Sequence, residues 1–166
     1  LGATRGTALV VLGGGTLTDL AGFTGSIFMR GIRCVFSPTT TLAICDASLG
    51  GKNGINHGEL KNQLGTIRQP DLVFADIDWL QTLPDEQFRE GLVEVAKKAA
   101  VLSLSNFEQL EQLAPALANR DPAATLAAIE MAVAMKMQVV LADEREADLR
   151  RTLNFGHTIG HAIESA

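Results

Sequence analysis

Apolar positions follow one rhythm up to about residue 80 and another beyond it, and the change divides the predicted elements into two kinds. Upstream, short apolar runs alternate with glycine- and threonine-rich turns. Thr7–Leu12 reads as a buried strand, and Gly13–Gly15 as the tight turn after it. Thr18–Met29 follows as a helix capped by Thr18 or Thr16. Arg33–Phe36 is predicted as a short strand ending at Ser37-Pro38, and Thr39–Ala47 as a helix opened by Thr39, Thr40 and Thr41. Gly50–Leu60 reads as a polar, glycine-rich loop, and Leu72–Asp76 as a further strand. Strand–helix–strand alternation predicts an α/β unit with a parallel sheet. Beyond Asp78 the apolar spacing is helical. Pro84-Asp85 opens a helix to about Leu102, followed by Ser105–Ala114 and Ala123–Ala142, with Pro115 and Asp121-Pro122 as breaks.

One stretch reverses the usual use of a helical face. In LRRTLNFGHTIGHAIES, Arg150, Asn154, His157 and His161 are spaced 4, 3 and 4 apart. That is one face of an α-helix, where Leu or Ile would normally sit. Leu149, Leu153, Ile159, Ala162 and Ile163 flank it, so both sides can pack. Two imidazoles four apart suit a helical zinc site. A lone histidine is more often structural, but the added cation and amide point to a site. Lys136, in the preceding predicted helix, is a further candidate member.

Composition narrows the classes. The chain has 166 residues, 46% hydrophobic and 20% charged, with a formal net charge of −5. The acidic balance argues against nucleic acid as a bulk partner. An anionic ligand therefore needs a local cluster of Lys and Arg. No uninterrupted apolar run reaches the roughly 18 residues of a membrane span. No membrane partner is expected. LGATRGTAL lacks the pattern of a signal peptide. Cys34 and Cys45 have no CxxC spacing and read as free thiols in a reducing, cytoplasmic setting. The strand at residue 7 has little before it and the polar helix stops at Ala166 without a cap, so the chain is expected to be an internal piece of a larger enzyme.

Each remaining candidate has a plain reading beside a chemical one. Gly13-Gly14-Gly15 is a tight turn or a backbone cradle for a phosphate, and Asp19 balances a helix dipole or accepts from a ribose hydroxyl. Thr39 and Thr40 cap a helix, or contact a cofactor at a strand C-terminus. Asp46, Lys52, Lys61 and Asn62 mark a solvated loop or a phosphate pocket. Glu94 and Lys97, in REGLVEVAKKAA, form an i,i+3 ion pair or set a metal ligand beside a catalytic lysine.

Taken in order, GGGTLTDLAGF, MRG, PTTTLA, DASLGGKNGIN, LKNQLG, TLP, GLVEVAKK and DEREADLRRTLNFGHTIGHAIE resemble the 3-dehydroquinate synthase family of sugar-phosphate cyclases. Each motif alone is weak; their order and spacing are specific. The resemblance implies α/β plus all-α: part of a Rossmann-like NAD-binding domain over residues 1–80, then part of a helical metal- and substrate-binding domain over residues 81–166. It implies conversion of 3-deoxy-D-arabino-heptulosonate 7-phosphate to 3-dehydroquinate and phosphate, in the shikimate pathway to chorismate and aromatic amino acids. Oxidation at C5 acidifies the adjacent C–H and permits phosphate elimination. Reduction, ring opening and an intramolecular aldol step follow. NAD, used transiently, and Zn2+ or Co2+ are the implied cofactors, and the full-length enzyme is expected to be a homodimer.

The resemblance carries over residue by residue. Gly14, Gly15, Asp19, Thr39 and Thr40 would line the NAD site, with Thr82 and Leu83 near it and Lys61 between cofactor and substrate. Glu94 and His157 would be metal ligands. Asp46 and Lys97 would lie beside the reacting hydroxyls. Lys52, Asn62 and His161 would gather at the phosphate, His161 as contact or proton carrier, with Arg30 reaching a neighbouring subunit's site. Lys136, Arg150 and Asn154 would hold the carboxylate. The family's third metal ligand, a later histidine, and the first strands of the dinucleotide domain fall outside the 166 residues. GTIRQP departs from the family where an aromatic residue is expected before the proline. The isolated chain is therefore expected to bind zinc weakly and not to turn over. The rivals are a sister cyclase acting on sedoheptulose 7-phosphate and a metal-dependent polyol dehydrogenase. The first would not need three carboxylate contacts; the second would release NADH and need no phosphate lysines.

Overall fold

The computed structural model describes residues 2–58 and 60–164, the side chains of Thr158, His161, Ala162 and Glu164 excepted. Two compact units emerge, residues 1–94 and 95–166. The first is built on a parallel three-stranded sheet in the order β1-β2-β5: β1 (Ala8–Gly13), β2 (Arg33–Pro38) and β5 (Leu72–Val73). Val10 pairs with Val35, and Val35 with Leu72, so those three share a face. The opposite face, with Val11, Cys34 and Phe36, is buried against Leu9, Ala21 and Val73. Helix α1 (Gly15–Ile27) links β1 to β2 and contributes Ala21 to that core. The Val10 face stays exposed: Val10 is 69% and Phe74 59% accessible. Parallel sheets ordinarily bury both faces, so this one is half covered among the described residues.

Several predicted boundaries move. The cap of α1 is Gly14, not Thr16 or Thr18. Thr18 lies inside the helix, fully buried, and returns its hydroxyl to Gly15 O at 2.9 Å. The predicted Thr39–Ala47 helix is one short turn that widens into a π-helical turn over Ala43–Ala47. Both Ser48 N and Ser48 Oγ donate to Ala43 O, at 3.1 and 2.8 Å, which sets the wider turn. The predicted Leu72–Asp76 strand keeps only two ladder residues, plus a bond from Phe74 N to Phe36 O at 2.8 Å.

The largest correction concerns Gly50–Leu60. The segment is no loop: β3 (Lys52–His57) and β4 (Leu60–Ile67) form an antiparallel hairpin. Nearly every residue of β4 is exposed, so no apolar period marks it. Backbone pairing and docking on α1 create the strands instead, and neither leaves a trace in composition.

After a 3-10 turn at Ile77–Thr82 come α2 (Asp85–Leu102), α3 (Leu104–Ala118), α4 (Pro122–Ala142) and α5 (His157–Glu164). The Ser103 hydroxyl caps α3 by accepting from Asn106 N, and the Asp121 carboxylate caps α4 by accepting from Ala124 N with Pro122 in the first turn. Pro115 does not end α3, which runs three residues further. By length and composition α4 could cross a membrane, unlike any uninterrupted run in the sequence. Its buried set includes Ala124, Ala128, Ala132, Met135, Lys136 and Val139, and it packs against α3 and the 149–154 turn, as a core helix does. Both cysteines are buried thiols outside any disulfide. Burial, reinforced by Asp71 and opposed by Arg68, pushes the Cys34 thiol above its ordinary range, so it stays a neutral core group.

Candidate functional site

The ends of β1 and β2 lie side by side, Gly13 opposite Pro38, and the turns leaving them close on one another. Thr39 N donates to Gly13 O at 2.9 Å. A Cβ on Gly14 would lie 3.1 Å from Thr40 Cγ2, and one on Gly15 3.2 Å from Ala47 Cβ. Three segments named from sequence thus converge: the glycine turn, the Thr39-Thr40 turn and the turn carrying Asp46. The N-cap of α1 is Gly14, which has no side chain to cap the helix, and the positive end of the helix dipole lies at this turn. Thr40 Oγ1 accepts from Ala43 N at 3.1 Å, so the capping reading of that hydroxyl holds while its methyl lines the cradle. Asp19 and Asp46 are half-buried at its margins. Thr41 Oγ1 is buried and has no hydrogen-bond partner among the described residues.

Arg30 lies elsewhere. It follows α1, exposed, with φ of 68°. The helix separates it from the glycine turn by about 20 Å along its axis. The hairpin also sorts its residues. Lys52 opens β3 at the hairpin root, opposite Ile67. Asn62, at φ 54°, lays its side chain against Gly54, two residues from Lys52, with Oδ1 3.0 Å from where a Cβ would be. Lys61 sits toward the tip, roughly 15 Å from Lys52 along the strands. All three are exposed. Thr82 is exposed at the end of the 3-10 turn and Leu83 is buried just after it.

Helix α2 carries Glu94 and Lys97, both half-buried, one turn apart. Its buried stripe runs through Phe88, Gly91, Val95, Lys98 and Ala99. Lys98 is 1% exposed, deeper than Lys97, and the sequence reading passed over it. The signal was available: Lys98 falls on the 3.6-residue period of that stripe.

The four-residue stripe at the C-terminus is not one helix. Arg150 and Asn154 lie on a 3-10 turn, Leu149–Asn154; the chain then leaves helical geometry at Phe155 and passes through Gly156 at φ 82°. His157 starts α5, and His161 lies one turn on, its side chain outside the described residues. A glycine accepts the left-handed conformation without strain, so the Asn-Phe-Gly sequence ends one element and aims the next. Arg150 and Lys136 are both buried, at 2% and 5% exposure, on elements that pack together. Asn154 is exposed and donates to Glu146 Oε1 at 2.8 Å. The Nδ1 atom of His157 is shielded from solvent.

Asp143, absent from the sequence reading, organises this region. Its carboxylate accepts from Ala147 N at 2.8 Å, Asp148 N at 2.8 Å and Arg150 N at 3.0 Å. Arg150 then returns a guanidinium N–H to Glu144 O at 2.6 Å. The N–H of Arg150, then those of Asp148 and Ala147, hold the Asp143 carboxyl below its usual range. An acid at a helix C-terminus opposes the dipole, and that misfit was the signal.

Glu94 belongs to the first unit and His157 to the second. No cluster of three metal-donor side chains occurs among the described residues. Oxygen and nitrogen donors of these two types are those zinc takes.

Comparison with known proteins supplies the family. The 3-dehydroquinate synthase N-terminal family model matches residues 1–90, and the C-terminal one residues 91–166. Among solved structures, 2-epi-5-epi-valiolone synthase from Streptomyces hygroscopicus subsp. jinggangensis 5008, with NAD+ and Zn2+ bound, is 34% identical with a TM-score of 0.92. A 2-deoxy-scyllo-inosose synthase complexed with carbaglucose-6-phosphate, NAD+ and Co2+ is 35% identical, at 0.91. Each match covers 99% of this chain but only 47% and 46% of the other. The chain thus spans about half the length of these relatives, its fold is theirs over that half, and it belongs to the 3-dehydroquinate synthase family.

Proposed function

We propose that the full-length protein is 3-dehydroquinate synthase, closing 3-deoxy-D-arabino-heptulosonate 7-phosphate to 3-dehydroquinate with release of phosphate. The observation that carries this reading is the pair of buried cations, Lys136 and Arg150, on packed elements of the second unit. Two cations gathered below the surface on neighbouring elements suit a carboxylate, which accepts from both. The heptulosonate carries a carboxylate; sedoheptulose 7-phosphate, whose anionic group is its phosphate, does not.

The donor sets fit the cofactors of the relatives. A Cβ on Gly14 or Gly15 would press on Thr40 or Ala47, and a helix start at a glycine turn suits a dinucleotide phosphate. Glu94 and His157 offer two of the donors a divalent metal needs. When bound, NAD takes and returns a hydride and the metal polarises the oxygens at the carbon being oxidised. The chain's own groups do the rest. Asp46 and Lys97 hold protons at the reacting hydroxyls, and Lys61, Thr82 and Leu83 border the cofactor with Asp19 and Thr39. Lys52, Asn62 and His161 bind the phosphate, and Arg150, Lys136 and Asn154 the carboxylate. Arg30, remote from the cradle, serves the partner's site in a homodimer. The domain boundary near residue 80 and a cytoplasmic location belong to the same reading.

A second reading has a specific observation behind it: solved relatives include a valiolone synthase and inosose synthases. Incubation of the full-length protein with the heptulosonate, NAD and zinc decides. The reading expects stoichiometric phosphate and no accumulation of NADH. Absence of phosphate release from the heptulosonate, with release from sedoheptulose 7-phosphate, moves the protein to the sister activity.

A further inference from the structure

We infer that Asn53 is a positioning residue that fixes Lys52 for phosphate; the inference rests on the reading of Lys52 as a phosphate contact. Lys52 and Asn53 are neighbours on β3, so their side chains leave opposite faces of the hairpin. Lys52 is exposed, whereas Asn53 is 3% exposed and points at α1. A buried amide must be satisfied, and this one is. Its Nδ2 donates to Gly51 O at 2.9 Å and to Arg68 O at 3.1 Å. Those carbonyls belong to the two strands' outer ends, the residues just before β3 and just after β4. One side chain thus joins both legs of the hairpin at the level of Lys52.

The surroundings make the join rigid. Arg68 N donates to Gly51 O at 2.8 Å, closing the root a second time. Arg68 Nη1 donates to Gly25 O at 3.0 Å, and Thr66 Oγ1 to Ser26 Oγ at 2.9 Å, so the outgoing leg is bonded to α1. Gly22 faces Asn53 so closely that a Cβ there would collide with the amide. Gly51, at φ 69°, has Arg68 C and Gln69 N each 2.9 Å from where its Cβ would be. The hairpin has almost no apolar anchor of its own, so this polar root holds it against the helix whose first turn borders the glycine cradle. An exposed lysine loses much of its advantage if its backbone wanders. Holding the backbone from the other face of the strand restores it without touching the ligand.

The test is a double-mutant cycle on the full-length protein, read by direct binding of inorganic phosphate and by KM and kcat for the sugar phosphate. Lys52→Ala is expected to weaken phosphate binding by about 100-fold, and Asn53→Ala by about tenfold in KM and in phosphate affinity with kcat within about twofold. Because Asn53 acts through Lys52, adding Asn53→Ala to Lys52→Ala is expected to change phosphate binding by less than about twofold. If Asn53→Ala does not fold, Asn53→Ser, which retains one hydroxyl donor, enters the same cycle with a smaller loss. Additive losses, or a loss in kcat alone, overturn the positioning role while leaving the site intact. Unchanged phosphate binding by Lys52→Ala overturns the reading of Lys52 and the inference with it.

Discussion

On the proposed reading the glycine cradle and the C-terminal segment both serve a charged ligand, but by opposite means. In the first unit the working surface is backbone. Strand ends meet in register, three turns close, and small residues keep the space open. In the second unit the working surface is long cationic side chains sunk into the fold, their loop pinned by the carboxylate of Asp143. Backbone cradles read shape and charge of a phosphate, whereas buried cations read the presence of one particular anion. On the proposed reading the difference teaches where substrate choice would reside: the first unit would suit any member of the family, and the second would separate them.

The sharpest way to break this contrast is Arg150→Met in the full-length protein. Loss of one partner from a buried charge contact costs about 3–5 kcal/mol, so kcat/KM for the heptulosonate is expected to fall by about 10²- to 4 × 10³-fold. Activity on a heptulose phosphate that lacks the carboxylate is expected to fall far less. Equal losses on both sugars would show that Arg150 supports the fold rather than the carboxylate. On the other side, Gly15→Val drives a branched side chain at Ala47, whose Cβ a simple Cβ already approaches to 3.2 Å. NAD affinity is expected to drop by about 10- to 100-fold, measured by titration calorimetry. Retained affinity would remove the cradle from the cofactor site.

Acidification should affect the second region first. The Asp143 carboxyl is depressed by the N–H groups it accepts, so the folded loop favours the ionised form. Its contribution to stability is complete above the ordinary aspartate pKa of about 3.9 and is lost as pH falls through the lower folded value. Hydrogen exchange of amides 147–150 is expected to accelerate in that acid window, and Asp143→Asn to remove the pH dependence. The smallest effect contrasts two adjacent threonines. Thr40→Val removes the cap on Ala43 N and is expected to cost about 1 kcal/mol in urea unfolding. Thr41→Val deletes a buried hydroxyl without a partner and is expected to be neutral or stabilising by up to about 1 kcal/mol.

Sequence revealed what apolar periodicity controls and missed what polar contacts build. The strands at Ala8–Gly13 and Arg33–Pro38 were legible as short apolar runs ending at turn residues, though the first buries one face and not both, and the helix Asp85–Leu102 from its Pro-Asp start and helical apolar spacing. The β3–β4 hairpin was not, since its residues are polar and its shape comes from pairing across a bulge and from Asn53 and Arg68. The same limit explains the broken stripe. The spacing of Arg150, Asn154, His157 and His161 fits one helix, but Gly156 permits a left-handed step that periodicity does not register. Asp143 had one faint mark in the sequence, an acid at a helix C-terminus, but its role of accepting backbone N–H groups is a capacity that any Asp in any loop carries. Candidates in the first unit came together because three of them lie on turns leaving adjacent strands.

Substrate preference of the full-length protein tests the central claim most directly. With NAD and zinc supplied, phosphate release is followed at matched concentrations of the heptulosonate and of sedoheptulose 7-phosphate. The account predicts kcat/KM at least about 100-fold higher for the heptulosonate, the discrimination expected when a site built to bind a carboxylate meets a sugar phosphate that lacks one. An equal rate, or a preference for sedoheptulose 7-phosphate, would contradict it.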